Sequence, residues 1–390
     1  MNRPVPTFGP ALALVCLIAA ASTARARAAR ASTVRASAVR GERVTTAKPP
    51  IRLGFFTRLL DQADAAERYR LAIAQIVQAE RCGFDSAWIA QHHFHEDEGG
   101  LPAPFVFLAQ VAARTSRIRL GTGIVTLPLE LPIRVAEDAA VLDLMCGGRL
   151  EVGIGPGGNL SAYEAFGLDS AERTALLVRH HRVLRDAWAG RPLLGGDRLY
   201  PPNPGLVDRL WQATFSVEGA RRAGAAGDGL MLSRTQPRPA EAPHLSLPDI
   251  QHPMIDAYLE ALPPDRAPRI LASRTVFVAD DRNEALLLAE IGLARQRARY
   301  AAIGRKGFVE GMSVHDQIAA MDIHMGNSDD VIASLRADST LARATDLTVQ
   351  SHSIDPPHEF ILRSIELVAG AVAPALGWVR SGGAAARRIA

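Results

Sequence analysis

The sequence predicts an α/β fold, a closed (β/α)8 TIM barrel with insertions. Three features of residues 51–378 lead to this prediction. Short apolar runs alternate with longer segments whose apolar residues recur at helical spacing, a pattern typical of a parallel sheet. The alternation repeats eight times. No linker divides the repeats into halves, which favours one barrel over the alternative, an open doubly wound sheet.

The first half of the barrel is predicted from four strand–helix pairs. Residues 64–81 show the helical pattern, because Ile73, Ile76 and Val77 share one helix face. Gly83 then follows as a C-cap. The predicted strands are 51–56, 86–90, 118–126 and 150–155, and the predicted helices are 64–81, 104–114, 134–145 and 171–189.

The second half repeats the alternation with longer insertions. The predicted strands are 210–214, 229–233, 269–278 and 347–350, and the predicted helices are 218–226, 284–300, 329–338 and 358–372. Residues 237–248 are proline-rich and predict a loop, and residues 301–327 are predicted to be irregular. Together with residues 156–170, these two insertions are candidate lids over an active site.

Charge is unevenly distributed along the chain. The net charge is +3, but residues 1–50 carry eight Lys or Arg and one acid, and residues 380–390 carry three Arg and no acid. The remainder is therefore acidic, with a net charge of −7. This argues against a nucleic-acid partner for the folded part.

The two termini are predicted to lie outside the barrel. Residues 11–21 form an apolar run that is too short to span a bilayer, and Ala24-Arg25-Ala26 follows with the small residues of a signal-peptidase site. Residues 1–50 are accordingly predicted to be a signal-like or a disordered extension. Residues 379–390 are predicted to be a flexible basic tail. No other stretch could cross a membrane.

The cysteines indicate a reducing compartment. Cys16, Cys82 and Cys146 are far apart and form no C-x-x-C pair, so neither a zinc knuckle nor a disulfide framework is predicted. We therefore expect a cytoplasmic protein. The alternative is an exported one, if residues 1–26 are a genuine signal peptide.

The barrel prediction by itself locates the active site. In (β/α)8 barrels the site is built from the residues that follow the carboxyl ends of the strands. Here those segments are 55–57, 91–93, 123–126, 155–159, 214–216, 233–235, 277–280 and 350–352.

The segment Gly153-Ile-Gly-Pro-Gly-Gly158 matches the G-x-G-x-x-G pattern of dinucleotide-binding folds. Its context disagrees, because it follows the fourth strand, no compact helix is predicted directly after it, and Pro156 lacks a phosphate-facing N–H. We interpret it as a turn whose backbone approaches a ligand closely.

Two other strand ends could bind an anionic group. Ser216 can cap the helix 218–226, and the free N–H groups behind a cap can hold a phosphate, although a plain N-cap would look the same. Arg234 could clamp a phosphate or a carboxylate, or it could be an arginine paired at the rim.

The histidine cluster after the second strand admits two interpretations. His93-x-His95 resembles the H-x-H pair of metal-dependent barrel hydrolases, but the fourth to seventh strand ends supply no further histidine, so no metal site is predicted. His92 and His93 remain at the strand tip, where a general base or a hydrogen-bond donor would lie.

The motifs together resemble the bacterial luciferase-like flavin monooxygenases. Residues 90–94 (AQHHF) are similar to the family's Glu-His-His-Phe segment. The likeness covers residues 51–378. Its other segments are 118–128, 132–149, 153–158, 166–167, 213–229 and 366–376.

This resemblance implies a TIM barrel that binds reduced flavin, usually FMN, and uses O2 to oxygenate a small organic substrate. It also implies a separate flavin reductase that supplies reduced flavin, and a homodimer. His92 matches the family's catalytic histidine, and Gly123-Ile124 matches a segment whose peptide, often cis, lies against the flavin ring. The predicted cofactor-binding residues are Gly123, Ile124, Thr126, Tyr163, Thr214, Phe215, Ser216, Ser233 and Arg234.

The sequence also departs from the family pattern. Gln91 stands where the family has Glu, and Gly155 and Pro156 stand where luciferases have a reactive Cys and a phosphate-binding Arg. Three alternatives therefore remain open. They are an F420-dependent oxidoreductase on the same barrel, a non-catalytic flavin-binding protein, and a metal-dependent hydrolase.

Overall fold

Eight parallel strands close into a barrel in the computed structural model, which describes residues 50–302 and 311–378. The predicted N-terminal extension, apart from Pro50, and the predicted basic tail lie outside the described residues. The strands are β1 Arg52–Thr57, β2 Ser86–Ile89, β3 Arg119–Thr122, β4 Val125–Thr126, β5 Leu150–Gly155, β6 Leu210–Ala213, β7 Gly229–Leu232, β8 Ile270–Val278, β9 Ile323–Gly326 and β10 Asp346–Gln350.

The last strand closes the sheet. Asp346 of β10 pairs with Arg52 of β1 on one side and with Leu271 of β8 on the other. The barrel order is β1, β2, β3, β5, β6, β7, β8 and β10, and β4 extends the third position by pairing with β5. The open-sheet alternative is therefore wrong, and the predicted (β/α)8 barrel is confirmed.

Helices surround the barrel, and several of them begin with a side-chain cap. Asp64 accepts a hydrogen bond from the N–H of Glu67 at the start of the first helix, as an N-cap acid should. The helices are α1 Ala65–Arg81, α2 Pro104–Ala112, α3 Pro132–Met145, α4 Leu160–Ala165, α5 Arg173–Trp188, α6 Val217–Ala225, α7 Leu247–Ala261, α8 Arg282–Ala302, α9 Val314–Ala320, α10 Ser328–Ala337, α11 His358–Leu367 and α12 Ala373–Ala375.

The insertions contain more structure than the sequence predicted. Residues 301–327 are not wholly irregular, because α9 and β9 lie within them. β9 is four residues long and pairs with the end of β8 outside the barrel, so it has little apolar pattern to reveal it. α7 begins with a capping box between Ser246 and Asp249, and it tolerates Pro253 in its interior.

The barrel interior is sealed by two tryptophans. Trp88 and Trp211 meet edge to face with ring centroids 5.7 Å apart. Gly121 and Gly229 leave room for them, since a Cβ at either position would lie within about 2.2 Å of an indole ring. Trp211 donates to Glu151 over 2.7 Å, so its buried N–H is satisfied. The pair divides the barrel interior, with a larger cavity toward the carboxyl ends of the strands and a smaller one toward their amino ends.

No helix within the described ranges, 50–302 and 311–378, has the length and apolarity needed to cross a bilayer. Cys82 and Cys146 are free thiols.

Candidate active site

A cavity of about 520 Å³ lies at the carboxyl ends of the strands, as the barrel rule predicts. Most of the predicted site residues line it. They are His92, Gly123, Ile124, Thr126, Thr214, Phe215, Ser233 and Arg234. Tyr163 and Ser216 do not line the cavity.

His92 is held by an arginine at the wall of the cavity. The guanidinium of Arg58, which follows β1, lies 3.0 Å from Nε2 of His92. Because arginine only donates, Nε2 must be the acceptor and the ring proton lies on Nδ1. Nδ1 is buried and has no hydrogen-bond partner. Burial lowers the pKa of His92 well below its ordinary value, and the charge of Arg58 lowers it further.

The other two histidines of the cluster diverge. His93 is buried and packs against Phe166, with ring centroids 5.1 Å apart. His95 is exposed and lies 3.0 Å from the hydroxyl of Ser161. Over the described ranges, no group of three or more His, Cys, Asp or Glu side chains could hold a metal ion.

The peptide between Gly123 and Ile124 is cis, as the resemblance implied. Gly123 is required by close packing, because a Cβ there would lie 2.5 Å from the ring of Phe56. Ile124 packs with Trp88, Trp211 and Met231 on the cavity floor. The apolar side of any bound ring would meet this surface.

Gln91 replaces the family's Glu within a closed hydrogen-bond network. Its Oε1 accepts from the N–H of Thr126 over 2.7 Å. Its amide nitrogen donates to Glu130 over 2.7 Å and to the carbonyl of Pro102 over 2.9 Å. Burial raises the pKa of the Glu130 carboxyl. A carboxylate from the segment before α3 thus lies next to Gln91.

The glycine-rich turn after β5 is shaped by Tyr163. The tyrosine hydroxyl donates to the carbonyl of Pro156 and so fixes the turn, and burial raises the pKa of Tyr163 to about 12. Gly157 has φ +69° and packs on Thr126. The expectation that no helix follows directly is wrong, because α4 begins at Leu160. That helix has only six residues.

Hydroxyl groups gather where β6 and β7 end. Ser216 caps α6 by accepting from the N–H of Gly219 over 3.1 Å, and Thr214 accepts from the N–H of Ser216 over 3.1 Å. Ser233 and Thr235 lie 3.1 Å apart through their hydroxyls. These groups form a polar rim where β6 and β7 end, and Thr214 and Ser216 lie at the positive end of the α6 dipole.

Arg234 does not join this rim. Its side chain is buried and extends past β8 to within 3.4 Å of the hydroxyl of Ser353, which follows β10. It therefore directs its positive charge toward the end of β10 rather than toward Thr214 and Ser216.

Sequence reasoning assigned no role to several residues of the cavity wall. Arg58 and Thr348 were missed. The strand-end rule named residues 350–352, but it gave no function to Gln350 or to His352. His352 binds the Asp355 carboxylate through Nδ1, at 2.8 and 3.0 Å. Polar residues on the inner face of the last strand were the pattern that could have revealed them.

Comparison with protein families identifies the chain. Residues 51–337 match the family model described as luciferase-like monooxygenase. The chain belongs to the luciferase-like monooxygenase family. The suspected resemblance is thereby confirmed for most of the chain.

Curated relatives of this luciferase-like chain include named monooxygenases. It is 33% identical to 4-hydroxyprotoasukamycin monooxygenase of Streptomyces nodosus subsp. asukaensis over 57% of this chain and 63% of that protein. It is 37% identical to the alkanal monooxygenase alpha chain of the Kryptophanaron alfredi symbiont over 32% of this chain and 34% of that protein. The chain spans only 50–63% of the length of the first relatives that it matches.

Several solved structures share the barrel. Monooxygenase RslO1 of Streptomyces bottropensis superposes with a TM-score of 0.66 at 26% identity, covering 83% of this chain and 99% of that one. The oxygenating constituent of 3,6-diketocamphane monooxygenase of Pseudomonas putida, in complex with FMN, gives 0.67 at 19% identity, covering 83% and 98%. The F420-dependent tetrahydromethanopterin reductase of Methanopyrus kandleri gives 0.59 at 18% identity, covering 84% and 99%. The last two likenesses concern the fold alone.

Proposed function

We propose that the chain is a flavin-dependent monooxygenase that uses reduced FMN and O2 to oxygenate a small organic substrate. The observation that carries the proposal is the cavity of about 520 Å³, which brings His92 and the cis Gly123–Ile124 peptide together at the end of a luciferase-like barrel. Bound reduced FMN would supply the electrons with which one atom of O2 enters the substrate and the other becomes water.

The unmatched polar atoms of the cavity wall fit a flat, polar-edged ring. Gln350 Oε1 and Thr348 Oγ1 are buried at the cavity and have no hydrogen-bond partner. Buried polar atoms of this kind are costly unless a ligand pairs with them. The floor beneath them, with Ile124 and Met231, is apolar. An isoalloxazine ring has both kinds of surface.

The rim at β6 and β7 supports phosphate binding. We assign Thr214, Phe215, Ser216 and Ser233 to the phosphate end of FMN, because hydroxyls and the N-terminus of α6 are good anion partners. Gly123, Ile124, Thr126 and Tyr163 are assigned to the ring, with Tyr163 acting through the turn it holds. Arg234 points toward the end of β10, away from this rim, and is assigned to the ring or to the substrate.

His92 is assigned the catalytic role. Its neutral ring is oriented by Arg58 and carries an unpaired N–H at Nδ1. In this form the ring is neutral and carries a proton at Nδ1 that no acceptor among the described residues holds.

Three further features belong to the proposal. A separate reductase supplies reduced flavin in the cytoplasm, where the free thiols Cys82 and Cys146 would stay reduced. The chain forms a homodimer through α2 and α3, where Val106, Leu144 and Met145 are 59–71% exposed. Val141, Leu144 and Met145 follow helical spacing along one face of α3, as an interface would require.

Anaerobic titration of the full chain with reduced FMN tests the proposal, with reduced F420 and metal analysis on the same preparation. We expect saturable, stoichiometric FMN binding, and O2 uptake coupled to product once a substrate is supplied. Binding of F420 alone would replace oxygenation with hydride transfer. FMN binding that never couples to a product would leave a flavin-binding protein, and a tightly held metal without flavin would favour the hydrolase.

A further inference from the structure

Three polar residues of the last barrel strand and of the turn after it line the same cavity. Thr348, Gln350 and His352 are spaced two residues apart, so they lie on the inward side of β10 and of the turn that continues it. We call these three residues the β10 ladder. All three are buried, with exposed fractions of 0%, 4% and 7%.

Gln350 and His352 offer acceptors, and Thr348 offers a hydroxyl that can accept or donate. The amide nitrogen of Gln350 donates to the hydroxyl of Ser273 on β8 over 3.1 Å, which leaves its Oε1 without a partner. Thr348 Oγ1 is buried and also has no hydrogen-bond partner. An unmatched amide oxygen, which can only accept, beside a ligand cavity points to a ligand that brings its own donor.

The acceptor of His352 is set by Asp355. A carboxylate can only accept, so Nδ1 of His352 must carry the ring proton and donate to Asp355. Nε2 is then left with a lone pair. Burial lowers the pKa of His352 to about 4, so the ring is neutral and this lone pair is free near neutral pH.

The turn that carries the pair is held firmly. Gly292 of α8 lets the helix touch the backbone at Ile354, because a Cβ there would lie 1.8 Å from the Ile354 carbonyl oxygen. Arg295 donates to the carbonyl of Asp355 over 2.7 Å. Other charged or titratable groups around His352 are Arg58, Arg234 and His92, and none of them is an acid.

We propose that the β10 ladder is a recognition site for a ligand edge that carries O–H or N–H donors, with Asp355 as the residue that keeps His352 an acceptor. The inference rests on the proposed function in taking the cavity as the ligand site. The donors have two sources. One is a hydroxylated substrate such as a phenol, and the other is reduced flavin, which carries more ring N–H groups than oxidised flavin.

The test compares matched probes on the full chain. 4-Methylphenol and its methyl ether differ in one O–H donor, and reduced and oxidised FMN differ in ring N–H donors. We measure the four Kd values for wild type, Gln350→Met, His352→Leu, His352→Gln and Asp355→Asn, under anaerobic conditions. Asp61→Asn is the control, because Asp61 lines the same small cavity as Asp355 but bonds to Gln75.

A substrate-binding ladder predicts that wild type prefers the phenol over its ether by about tenfold. The preference should fall at least about threefold in Gln350→Met and His352→Leu, and it should be partly restored in His352→Gln, which keeps an acceptor. In Asp355→Asn the ring can switch tautomer and donate from Nε2, so the preference should shift toward the ether. Asp61→Asn should match wild type.

A flavin-binding ladder predicts the same pattern for reduced over oxidised FMN, with the phenol unaffected. Either pattern supports the proposed ladder and identifies which of the two ligands it binds. The proposal is overturned if none of the four Kd values changes by more than about twofold in any variant. It is also overturned if the phenol does not bind and the FMN affinities are unchanged in the variants. A preference for the phenol without any FMN binding would contradict the proposed function but support the proposed ladder. If Gln350→Met does not fold, Asp355→Asn provides the test of the ladder in its place.

Discussion

Arg58 and His92 form a directed pair, in which the guanidinium donates to Nε2 of the imidazole over 3.0 Å. The pair determines the state of the ring, because a protonated His92 would have to give up this hydrogen bond and face a second positive charge. The sequence put His92 at a strand tip but gave no hint of Arg58, which lies 34 residues earlier.

His92 should therefore stay neutral throughout the physiological pH range. Spectra of ¹⁵N-histidine-labelled chain should show no titration of His92 between pH 6 and pH 8. Removing the charge in Arg58→Met should raise the pKa of His92, and burial should still keep it below its ordinary value. A His92 that titrates in the wild type near its ordinary pKa would contradict the pair.

Gln91→Glu should destabilise the fold rather than restore the family pattern. The new carboxylate would face Glu130 and the carbonyl of Pro102, where an amide now donates to both. We expect a loss of about 2–4 kcal/mol in the free energy of unfolding at neutral pH. The loss should shrink on acidification, because the two carboxyls can then share a proton.

Chemical denaturation at pH 7.5 and pH 5.5 measures this effect. Gln91→Met is the matched control, since it removes the amide without adding charge, and its cost should not depend on pH in this way. An equal loss in both variants at both pH values would show that charge at this position is unimportant.

Tyr163→Phe should loosen the glycine-rich turn. The hydroxyl donates to the carbonyl of Pro156, and its loss leaves a buried carbonyl oxygen without this partner. We expect about 1–2 kcal/mol of destabilisation and weaker binding of reduced FMN. Tyr200→Phe is the control, because Tyr200 is 84% exposed. Equal melting temperatures and FMN affinities in the two variants would contradict the role of Tyr163.

Acid should destabilise the protein through buried histidines. His324 and His352 have pKa values lowered to about 4, mainly by burial, whereas the unfolded chain binds these protons near pH 6.5. Their stabilisation is thus complete above about pH 6.5 and is lost as pH falls toward 4, on the order of 1–3 kcal/mol for each.

Melting temperature measured from pH 7.5 to pH 4.5 tests this. His324→Gln should show a shallower decline than wild type, and His95→Gln, at an exposed position, should follow wild type. A melting temperature that is constant down to pH 5 in the wild type would rule out the effect.

Leu144→Glu should convert the proposed homodimer to monomers. The residue is 59% exposed on α3 beside Met145, so a charge there would be buried in the interface but solvated in a monomer. Sedimentation velocity of both species measures the change. Leu194→Glu, at a fully exposed position elsewhere, should remain dimeric. A wild-type chain that sediments as a monomer would contradict the proposed homodimer.

The sequence alone determined the barrel and the location of its active site. Strand and helix periods are local properties, so eight alternating repeats were readable without the structure, and the strand ends then followed from the geometry of parallel barrels. Short elements with weak patterns, such as β9 and α9, were not predicted from the sequence. Their conformations depend on pairing with β8 and packing on α8 rather than on their own residues.

Only the tertiary structure decided which strand-end residues act together. Arg58 with His92, Gln91 with Glu130 and Arg234 with Ser353 are partners across 34, 39 and 119 residues. Hydrogen bonds of this kind form when the barrel closes and brings separate strand ends within 3–4 Å. Linear spacing does not encode those distances, so protonation states, the course of Arg234 and the acceptors of the last strand became visible only in three dimensions.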